Sequence, residues 1–321
     1  MTASHRLIRS VTGDGERGAV DTTEVTPEVR ERLVVRFGPA VLGWCDRLPT
    51  LVERLSAHWG LDVREAGGGG TSRVFRCTRR EDGSTVRLKL TPDPFIAAEE
   101  AEALAAWATS TSVVTLLAED LGSGALLLAE VRPGTPVQQS GWSLPQVGVL
   151  LRELRMPAPV PRRGSVLRPL ARRVEFLFEL TGRRLAHARS AGAYRALDRT
   201  VLERSREAAL QLADSGAAGL VHGDLHPGNV LTGPEGRAVA IDPRPVLGDP
   251  DFDAVDWVLA GAREMAGLKA RIERLARLVP GQSPDRVLAW CRALAVLEAV
   301  PRLRTGQDDP TTRFLLSLSR P

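Results

Sequence analysis

Oxygen-bearing side chains with a regular spacing occupy one stretch of the sequence, from Val221 to Pro243. An apolar run ends at Val221 and is followed by a polar loop that contains Asp224 and Asn229. Two further apolar runs flank a Gly-Pro-Glu-Gly turn, and the second of them ends on Asp242. A strand, a loop and a hairpin in this order bring the three side chains to one end of a small sheet. Carboxylate and amide oxygens in such a place indicate binding of a divalent metal and of phosphate.

The spacing of these residues indicates phosphoryl transfer. In the kinase catalytic loop, an Asp that accepts the substrate hydroxyl proton precedes a metal-binding Asn by five residues, and a later Asp binds Mg²⁺ from the next strand. Asp224 and Asn229 keep that step, and Asp242 stands at the place of the later Asp, although Pro-Arg follows it instead of Phe-Gly. We predict Asp224 as the catalytic residue and Asn229 and Asp242 as Mg²⁺ ligands. For Asp224 or Asn229 alone, a loop-capping role is the alternative, and His226 is predicted to be structural.

The motif His222-Gly-Asp-Leu-His-Pro-Gly-Asn229, followed by Ile241-Asp-Pro, resembles the aminoglycoside phosphotransferase family of small-molecule kinases. Its continuation to Asp253 is similar to the branch that contains streptomycin 6-kinases and hydroxyurea phosphotransferases. The resemblance covers roughly residues 34–297 and implies an α+β, bilobal, protein-kinase-like fold with a small β-rich N-lobe and a larger, mainly helical C-lobe. Members of that branch usually carry Lys or Glu where this chain has Arg244, a departure that concerns the acceptor more than the fold.

A glycine-rich stretch lies between two predicted strands in the first third of the chain. Its Gly68 and Gly70, with Ser72, let the backbone approach a ligand and direct N–H groups at phosphate oxygens; a plain flexible turn is the alternative. Lys89 lies on the next strand, as the β3 lysine follows the glycine-rich loop in kinases. A lone ammonium in an apolar strand needs an anionic partner. We predict the ATP phosphates and Glu100 of the following helix as those partners, and an exposed lysine is the alternative.

The resemblance adds two details on the nucleotide side. The family pattern matches better at Glu100 than at its neighbour Glu99 as the partner of Lys89. A buried strand that ends in a Pro-Gly break has the character of an interlobe hinge. Backbone groups near Ala129 and Val131, on that strand, are implied to contact the adenine.

The chain divides into three predicted parts. Residues 1–25 lack periodicity and are predicted to be a mobile N-terminal arm. Residues 26–132 hold two N-terminal helices and the nucleotide-binding N-lobe, and residues 133–321 form the helical C-lobe with the catalytic loop and the acceptor site. Asp253, at the start of a later predicted helix, either holds the catalytic loop or caps its own helix.

Composition limits the class of protein. A chain of 321 residues with 43% hydrophobic content can bury two packed lobes. No apolar run approaches the roughly 20 residues of a membrane span, and no apolar signal segment begins the chain, so a cytoplasmic protein without a membrane partner is predicted. The three cysteines are widely separated and lack metal-ligand spacing. We predict reduced, buried thiols.

The formal net charge of +4 raises the question of nucleic-acid binding. The basic residues are scattered arginines on predicted helices, without interleaved aromatic side chains. Solvated helix faces explain them better, and no nucleic-acid partner is predicted. Examples of these arginines are Arg152, Arg155, Arg172 and Arg173.

Together, these features predict Mg²⁺-dependent transfer of the γ-phosphoryl group of ATP, or of GTP, to a hydroxyl of a small polar molecule. The resemblance favours an aminoglycoside of the streptomycin type, in antibiotic resistance or self-protection. A group of aspartates predicts a local negative field that suits a cationic acceptor: Asp224, Asp242, Asp249, Asp251, Asp253 and Asp256. A kinase of a sugar or other primary metabolite is one alternative, and an inactive nucleotide-binding scaffold is another. The oligomeric state is left open.

Overall fold

The structure is a computed structural model that describes residues 23–68, 72–156, 164–188 and 199–320. The helices are α1 (Pro27–Phe37), α2 (Val41–His58), α3 (Pro94–Ala106), α4 (Val137–Ser140), α5 (Leu144–Arg155), α6 (Leu170–Ala188), α7 (Arg199–Ser215), α8 (Val255–Leu259), α9 (Met265–Ala276), α10 (Pro284–Arg304) and α11 (Pro310–Leu318). The strands are β1 (Leu61–Gly68), β2 (Arg73–Arg79), β3 (Thr85–Leu90), β4 (Leu116–Asp120), β5 (Ala125–Ala129), β6 (Arg168–Pro169), β7 (Gly219–Val221), β8 (Val230–Thr232), β9 (Ala238–Ala240) and β10 (Val246–Gly248).

The N-lobe is built on one antiparallel sheet with the strand order β1-β2-β3-β5-β4. Side chains on one face of the sheet, among them Phe75 and Leu88, pack with the apolar faces of α1 and α2 in one buried core. The other face of the sheet and α3 contribute to a second core that continues into the C-lobe. The alternation of side chains along β2 therefore buries one face of that strand, whereas β5 is buried on both faces.

Helices make up most of the C-lobe, and α10 is central to it. Its buried side chains lie on all sides of the helix, because α10 contacts α6, α7, α8, α9 and α11. Ser143 begins α5 with a capping box, in which its hydroxyl accepts a hydrogen bond from Gln146 N. The predicted bilobal α+β fold is confirmed.

Two small sheets lie where the sequence predicts the strand, loop and hairpin. Strand β7 pairs with β10, and β8 pairs antiparallel with β9 across the Gly-Pro-Glu-Gly turn. The apolar run from Val113 to Leu117 predicts a strand, but β4 begins at Leu116, and Val113 forms a single bridge with Ala240 of β9. The local sequence pattern does not reveal this bridge, because the partner of Val113 belongs to the other lobe.

Several sequence predictions concern the ends and the surface. Residues 1–22 of the predicted arm, and Gly70, lie outside the described residues. Val25, which we assigned to the arm, is 3% exposed and packs in the core with α1 and α2, because an apolar side chain beside an amphipathic helix pair finds a buried position. All three cysteines are buried and free. Among the described residues, no helix is long and apolar enough to cross a membrane. The three-part division of the chain stays a prediction.

Candidate active site

The loop after β7 is fixed by its own backbone and by one buried carboxylate. Gly223 has φ +75°, and a Cβ at this position would lie 2.2 Å from the carbonyl oxygen of Arg244. Only glycine fits this close approach. The carboxylate of Asp253 accepts hydrogen bonds from His222 N (2.7 Å) and Gly223 N (3.0 Å). Asp253 therefore holds the loop, which decides between the two roles that the sequence left open.

His222 is a structural residue of the same loop. Its Nδ1 accepts a hydrogen bond from Asp224 N at 3.3 Å, and its Nε2 lies 3.2 Å from the carbonyl oxygen of Ile241. The side chain is fully buried, and this burial lowers the pKa of His222 to about 4. A neutral imidazole with Nε2–H as the donor satisfies both contacts.

Both carboxylate oxygens of Asp224 are engaged. Arg173 donates from Nη2 to Asp224 Oδ1 at 2.7 Å and from Nε to the carbonyl oxygen of Gly223 at 2.8 Å. Asn229 donates from Nδ2 to Asp224 Oδ2 at 3.1 Å and to its backbone oxygen at 3.0 Å. The carboxylate is thereby held in one orientation, with 31% of its side chain exposed.

Arg173 corrects a prediction from the sequence. We assigned it to a solvated helix face, but its side chain is only 10% exposed and it pairs with Asp224. Arg155, which the sequence also predicts on a solvated face, is only 15% exposed and forms an ion pair with Asp251 at 2.8 Å. Both arginines lie on helices whose orientation is set by tertiary packing. The sequence pattern within each helix therefore does not predict its ion-pair partner. Arg152 and Arg172 are exposed, as predicted.

Lys89, Glu100 and Asp242 form one buried charge cluster at the interface between the lobes. Lys89 Nζ donates to Glu100 Oε1 and to Asp242 Oδ1, each at 2.7 Å. Burial opposes the charged form of Lys89, but the attraction of Asp242 and Glu100 outweighs it and raises the pKa of Lys89. Burial also opposes the charged form of Asp242, yet Lys89 and Arg244 hold the pKa of that carboxyl well below its ordinary value. The predicted partner Glu100 is the one that Lys89 contacts, whereas Glu99 pairs with Arg168.

Asp242 and Asn229 present oxygen atoms of the type that Mg²⁺ prefers. Ile241 N donates to the backbone oxygen of Asn229 at 2.9 Å, which brings the two chain segments together. Both side-chain hydrogen bonds of Asn229 use its amide nitrogen, so Oδ1 takes part in neither of them. Asp242 has φ +54°, a left-handed conformation that is uncommon outside glycine and that sets the direction of its carboxylate. This donor set fits Mg²⁺.

A cleft of about 400 Å³ lies between the lobes beside this cluster. Lys89, Asn229 and Asp242 line one part of it, and Ala129 and Val131 line another. Ser72 also lines the cleft, whereas Gly68 pairs with Arg73 in the β1–β2 ladder and Gly70 is not described.

A second, larger cavity of about 690 Å³ lies in the C-lobe on the other side of the loop, and we call it the C-lobe cavity. Asp224 lines it together with Asp253, Asp256 and Glu298. Among the described residues, neither Asp256 nor Glu298 makes a side-chain hydrogen bond or an ion pair. Burial, followed by repulsion from Glu298 and Asp224, raises the pKa of Asp256 well above its ordinary value. Sequence reasoning missed Glu298, which lies on α10, far along the chain from the motif.

The predicted cluster of aspartates is only partly present at the site. Asp249 is 2% exposed and accepts hydrogen bonds from Arg286 Nε (2.6 Å) and Trp290 Nε1 (2.7 Å). Asp251 is paired with Arg155. These two carboxylates are neutralised inside the C-lobe and line neither cavity, so the negative field depends on fewer residues than predicted.

Comparison with known proteins agrees with this geometry. The family described as aminoglycoside/hydroxyurea antibiotic resistance kinase matches residues 58–306. A streptomycin 6-kinase from Streptomyces glaucescens is 30% identical over 223 residues, which is 68% of each chain. A hydroxyurea phosphotransferase from Kitasatospora aureofaciens is 30% identical over 300 residues, or 90% of this chain and 83% of that one. The solved choline kinase LicA from Streptococcus pneumoniae has a TM-score of 0.55 at 13% identity, covering 84% of this chain and 96% of its own, and shares the fold. The chain is thus an O-phosphotransferase and belongs to the aminoglycoside/hydroxyurea antibiotic resistance kinase family.

Proposed function

We propose that the chain transfers the γ-phosphoryl group of ATP, with Mg²⁺, to a hydroxyl of a cationic small molecule of the streptomycin type. One observation carries the proposal: the interlobe cleft and the C-lobe cavity meet at a hydrogen-bonded pair. Asn229 lines the cleft, Asp224 lines the cavity, and Asn229 Nδ2 lies 3.1 Å from Asp224 Oδ2. A phosphoryl donor on one side and a hydroxyl acceptor on the other side would therefore meet at Asp224.

The interlobe cleft has the groups that a nucleotide needs. The apolar part near Ala129 and Val131 suits an adenine, and Lys89, held by Glu100, carries the positive charge for phosphate oxygens. GTP is the alternative donor. Asn229 and Asp242 would hold Mg²⁺, which when bound neutralises charge on the phosphates.

Asp224 acts on the acceptor. Its carboxylate orients the hydroxyl and takes its proton as the hydroxyl oxygen forms a bond with the γ-phosphorus and the bond to the leaving ADP breaks. Arg173 and Asn229 fix the carboxylate in that orientation. Phosphoryl transfer depends mainly on the positions of the reacting groups and on the stabilisation of charge. By fixing the Asp224 carboxylate, these two contacts therefore raise the rate of transfer.

The C-lobe cavity favours a cationic acceptor. Asp256 and Glu298 line it without a partner of their own among the described residues, whereas Arg173 is already bound to Asp224. Guanidinium or ammonium groups of an acceptor would pair with these two carboxylates. The similarity to streptomycin 6-kinases favours an acceptor of that class.

The acceptor is tested by a screen for nucleotide consumption with streptomycin, other aminoglycosides, hydroxyurea and simple sugars. Mass spectrometry of the product then identifies the phosphorylated compound. We expect turnover of a streptomycin-like compound, with a KM that rises with added salt because charge pairing at an open cavity is screened. Efficient turnover of a neutral sugar, with a salt-independent KM, would instead establish the primary-metabolite kinase.

The substitution Asp256→Asn tests whether the Asp256 carboxylate binds the cationic acceptor. We expect kcat/KM for the cationic acceptor to fall roughly tenfold, the value of one charge-assisted hydrogen bond, while the KM for ATP stays the same. Glu207→Gln is the matched control, because Glu207 is exposed on α7 and lines neither cavity. An equal effect of the two substitutions would show that Asp256 does not contact the acceptor.

A further inference from the structure

A third cavity, of about 300 Å³, lies beside the reaction centre and is lined by five arginines. We call it the arginine cavity. It shares no lining residue with the interlobe cleft and shares Arg173 with the C-lobe cavity, and Pro243 and Arg244 of the loop after Asp242 lie in its wall. Its arginines are Arg36, Arg168, Arg172, Arg173 and Arg244, and its carboxylates are Asp93 and Glu99.

Four of these arginines have carboxylate partners. Arg168 pairs with Glu99 at 2.6 Å and Arg172 with Glu175 at 3.3 Å. Arg173 pairs with Asp224 at 2.7 Å and Arg244 with Asp242 at 3.3 Å. The positive charges of these four are therefore balanced within the chain.

Arg36 is different. It is half-buried near the end of α1, and within the described part of the chain no carboxylate lies within 4.0 Å of it. Its guanidinium lies over the ring of Phe176, with Cζ 3.9 Å from the ring centroid, and Cζ of Arg173 lies 5.6 Å from the same centroid. Burial, followed by repulsion from Arg244 and Arg173, lowers the pKa of Arg36 to about 10. A cation in this position is held among like charges, and none of the described residues supplies its counterion.

Asp93, the remaining carboxylate of the arginine cavity, is not the counterion of Arg36. Asp93 begins α3, and its Oδ1 accepts a hydrogen bond from Phe95 N at 3.0 Å. Arg36, Arg173 and Arg244 come from three separate elements, and the side chains of the last two are only 10% and 12% exposed. Planar guanidinium groups from different directions match the tetrahedral oxygens of a phosphate group.

We propose that the arginine cavity binds a phosphate group, from orthophosphate or from a small phosphomonoester, at a site separate from the nucleotide cleft. Arg36 supplies the charge that no described carboxylate balances, and Arg173 and Arg244 supply further donors. A bound phosphate competes with Asp224 for Arg173 and with Asp242 for Arg244. Occupancy of the cavity therefore opposes the arrangement of the reaction centre, and phosphate inhibits the kinase without competing with the nucleotide.

Binding is measured by calorimetry and by thermal shift on the full chain, which need no turnover. Orthophosphate and glycerol 2-phosphate are the probes, and sodium chloride at equal ionic strength is the reference. We expect saturable binding of at least one probe, and the tighter of the two identifies the source of the phosphate group. The absence of saturable binding of both probes would overturn the proposal.

Arg36→Gln is expected to weaken phosphate binding at least about tenfold, the loss of one charge-assisted contact. Arg32→Gln is the matched control, because Arg32 carries the same charge on the same helix but is exposed. Arg36→Lys keeps the charge without the planar fork and is expected to bind with an intermediate affinity. Melting temperatures in chloride verify that each variant is folded. Equal phosphate affinity of Arg36→Gln and Arg32→Gln would refute the site.

The same titration is repeated with saturating Mg-nucleotide, whose own binding is measured in the calorimeter. Phosphate should still bind saturably, because the arginine cavity and the interlobe cleft share no lining residue. Loss of phosphate binding under these conditions would place it in the interlobe cleft and reject the separate site. If the nucleotide itself does not bind, the proposed donor is wrong, whereas the comparison of Arg36→Gln with Arg32→Gln on the free chain still decides the phosphate site.

Discussion

Removal of the Lys89 ammonium group tests the charge cluster between the lobes. The quantity measured is the free energy of unfolding, so no activity assay is needed. In Lys89→Met, the side chain keeps most of its volume but loses its charge. Glu100 is then left 1% exposed with no cationic partner at hydrogen-bond distance. Removing one partner of a buried pair usually costs about 3–5 kcal/mol, because the other charge stays buried and uncompensated.

Protonation of Glu100 limits this loss of unfolding free energy. Glu100 can escape its buried charge by taking up a proton, and burial already raises its pKa from the ordinary value of 4.5. Protonation of such a carboxyl at pH 7 costs about 1.36 kcal/mol per pH unit above 4.5, or about 3.4 kcal/mol. At pH 5.5 the same cost is about 1.4 kcal/mol. Asp242 adds less, since it keeps Arg244 at 3.3 Å and is 28% exposed.

The sign of the pH dependence follows from the raised pKa. In the variant, Glu100 binds its proton more tightly in the folded state than in the unfolded chain. Its contribution to stability is therefore fully present below about pH 4.5 and is lost as the pH rises through the folded pKa. The difference in unfolding free energy between wild type and Lys89→Met should shrink from about 3 kcal/mol at pH 7 to about 1.4 kcal/mol at pH 5.5.

Urea denaturation followed by fluorescence of the six tryptophans measures these differences. Lys269→Met is the matched control, because Lys269 is the only other lysine and is exposed on α9. The double variant Lys89→Met/Glu100→Gln should recover most of the lost stability at pH 7. A variant Lys89→Met as stable as Lys269→Met at pH 7, or a loss that is equal at both pH values, would refute the reasoning.

Three further predictions concern the reaction centre. Asp224→Asn should lower kcat at least ~10²-fold with nucleotide affinity retained, and steady-state kinetics with a nucleotide titration will show whether turnover survives. Asp242→Asn should abolish the Mg²⁺ dependence of nucleotide binding, so an unchanged Mg²⁺ titration in the calorimeter would remove it from the ligand set. Burial raises the pKa of Asp253 to about 6 from 3.8, so its contribution to stability is present below about pH 4 and is lost as the pH rises through about 6. In Asp253→Asn this contribution disappears, and the difference in unfolding free energy from wild type should vary between about pH 4 and 6; a constant difference would contradict the assignment.

The sequence by itself predicted the fold class, the loop that carries Asp224 and Asn229, and the pairing of Lys89 with Glu100. The step from Asp224 to Asn229 lies within one loop, and Asp242 closes the hairpin that follows, so their convergence depends on local geometry alone. Lys89 was identified because an ammonium in an apolar strand requires a partner. The structure places that partner, Glu100, on the next helix.

Only the tertiary structure decided which distant side chains face the site. Arg173 and Asp224 are 51 positions apart, and Glu298 reaches the C-lobe cavity from α10. Asp249 and Asp251 lie in the motif but turn into the C-lobe, where Arg286 and Arg155 neutralise them. Residue types and spacing define what one loop can do, whereas the rotation of each helix about its axis is set by packing against other helices. That rotation placed Arg173 against Asp224 and left Arg36 without a carboxylate among the described residues.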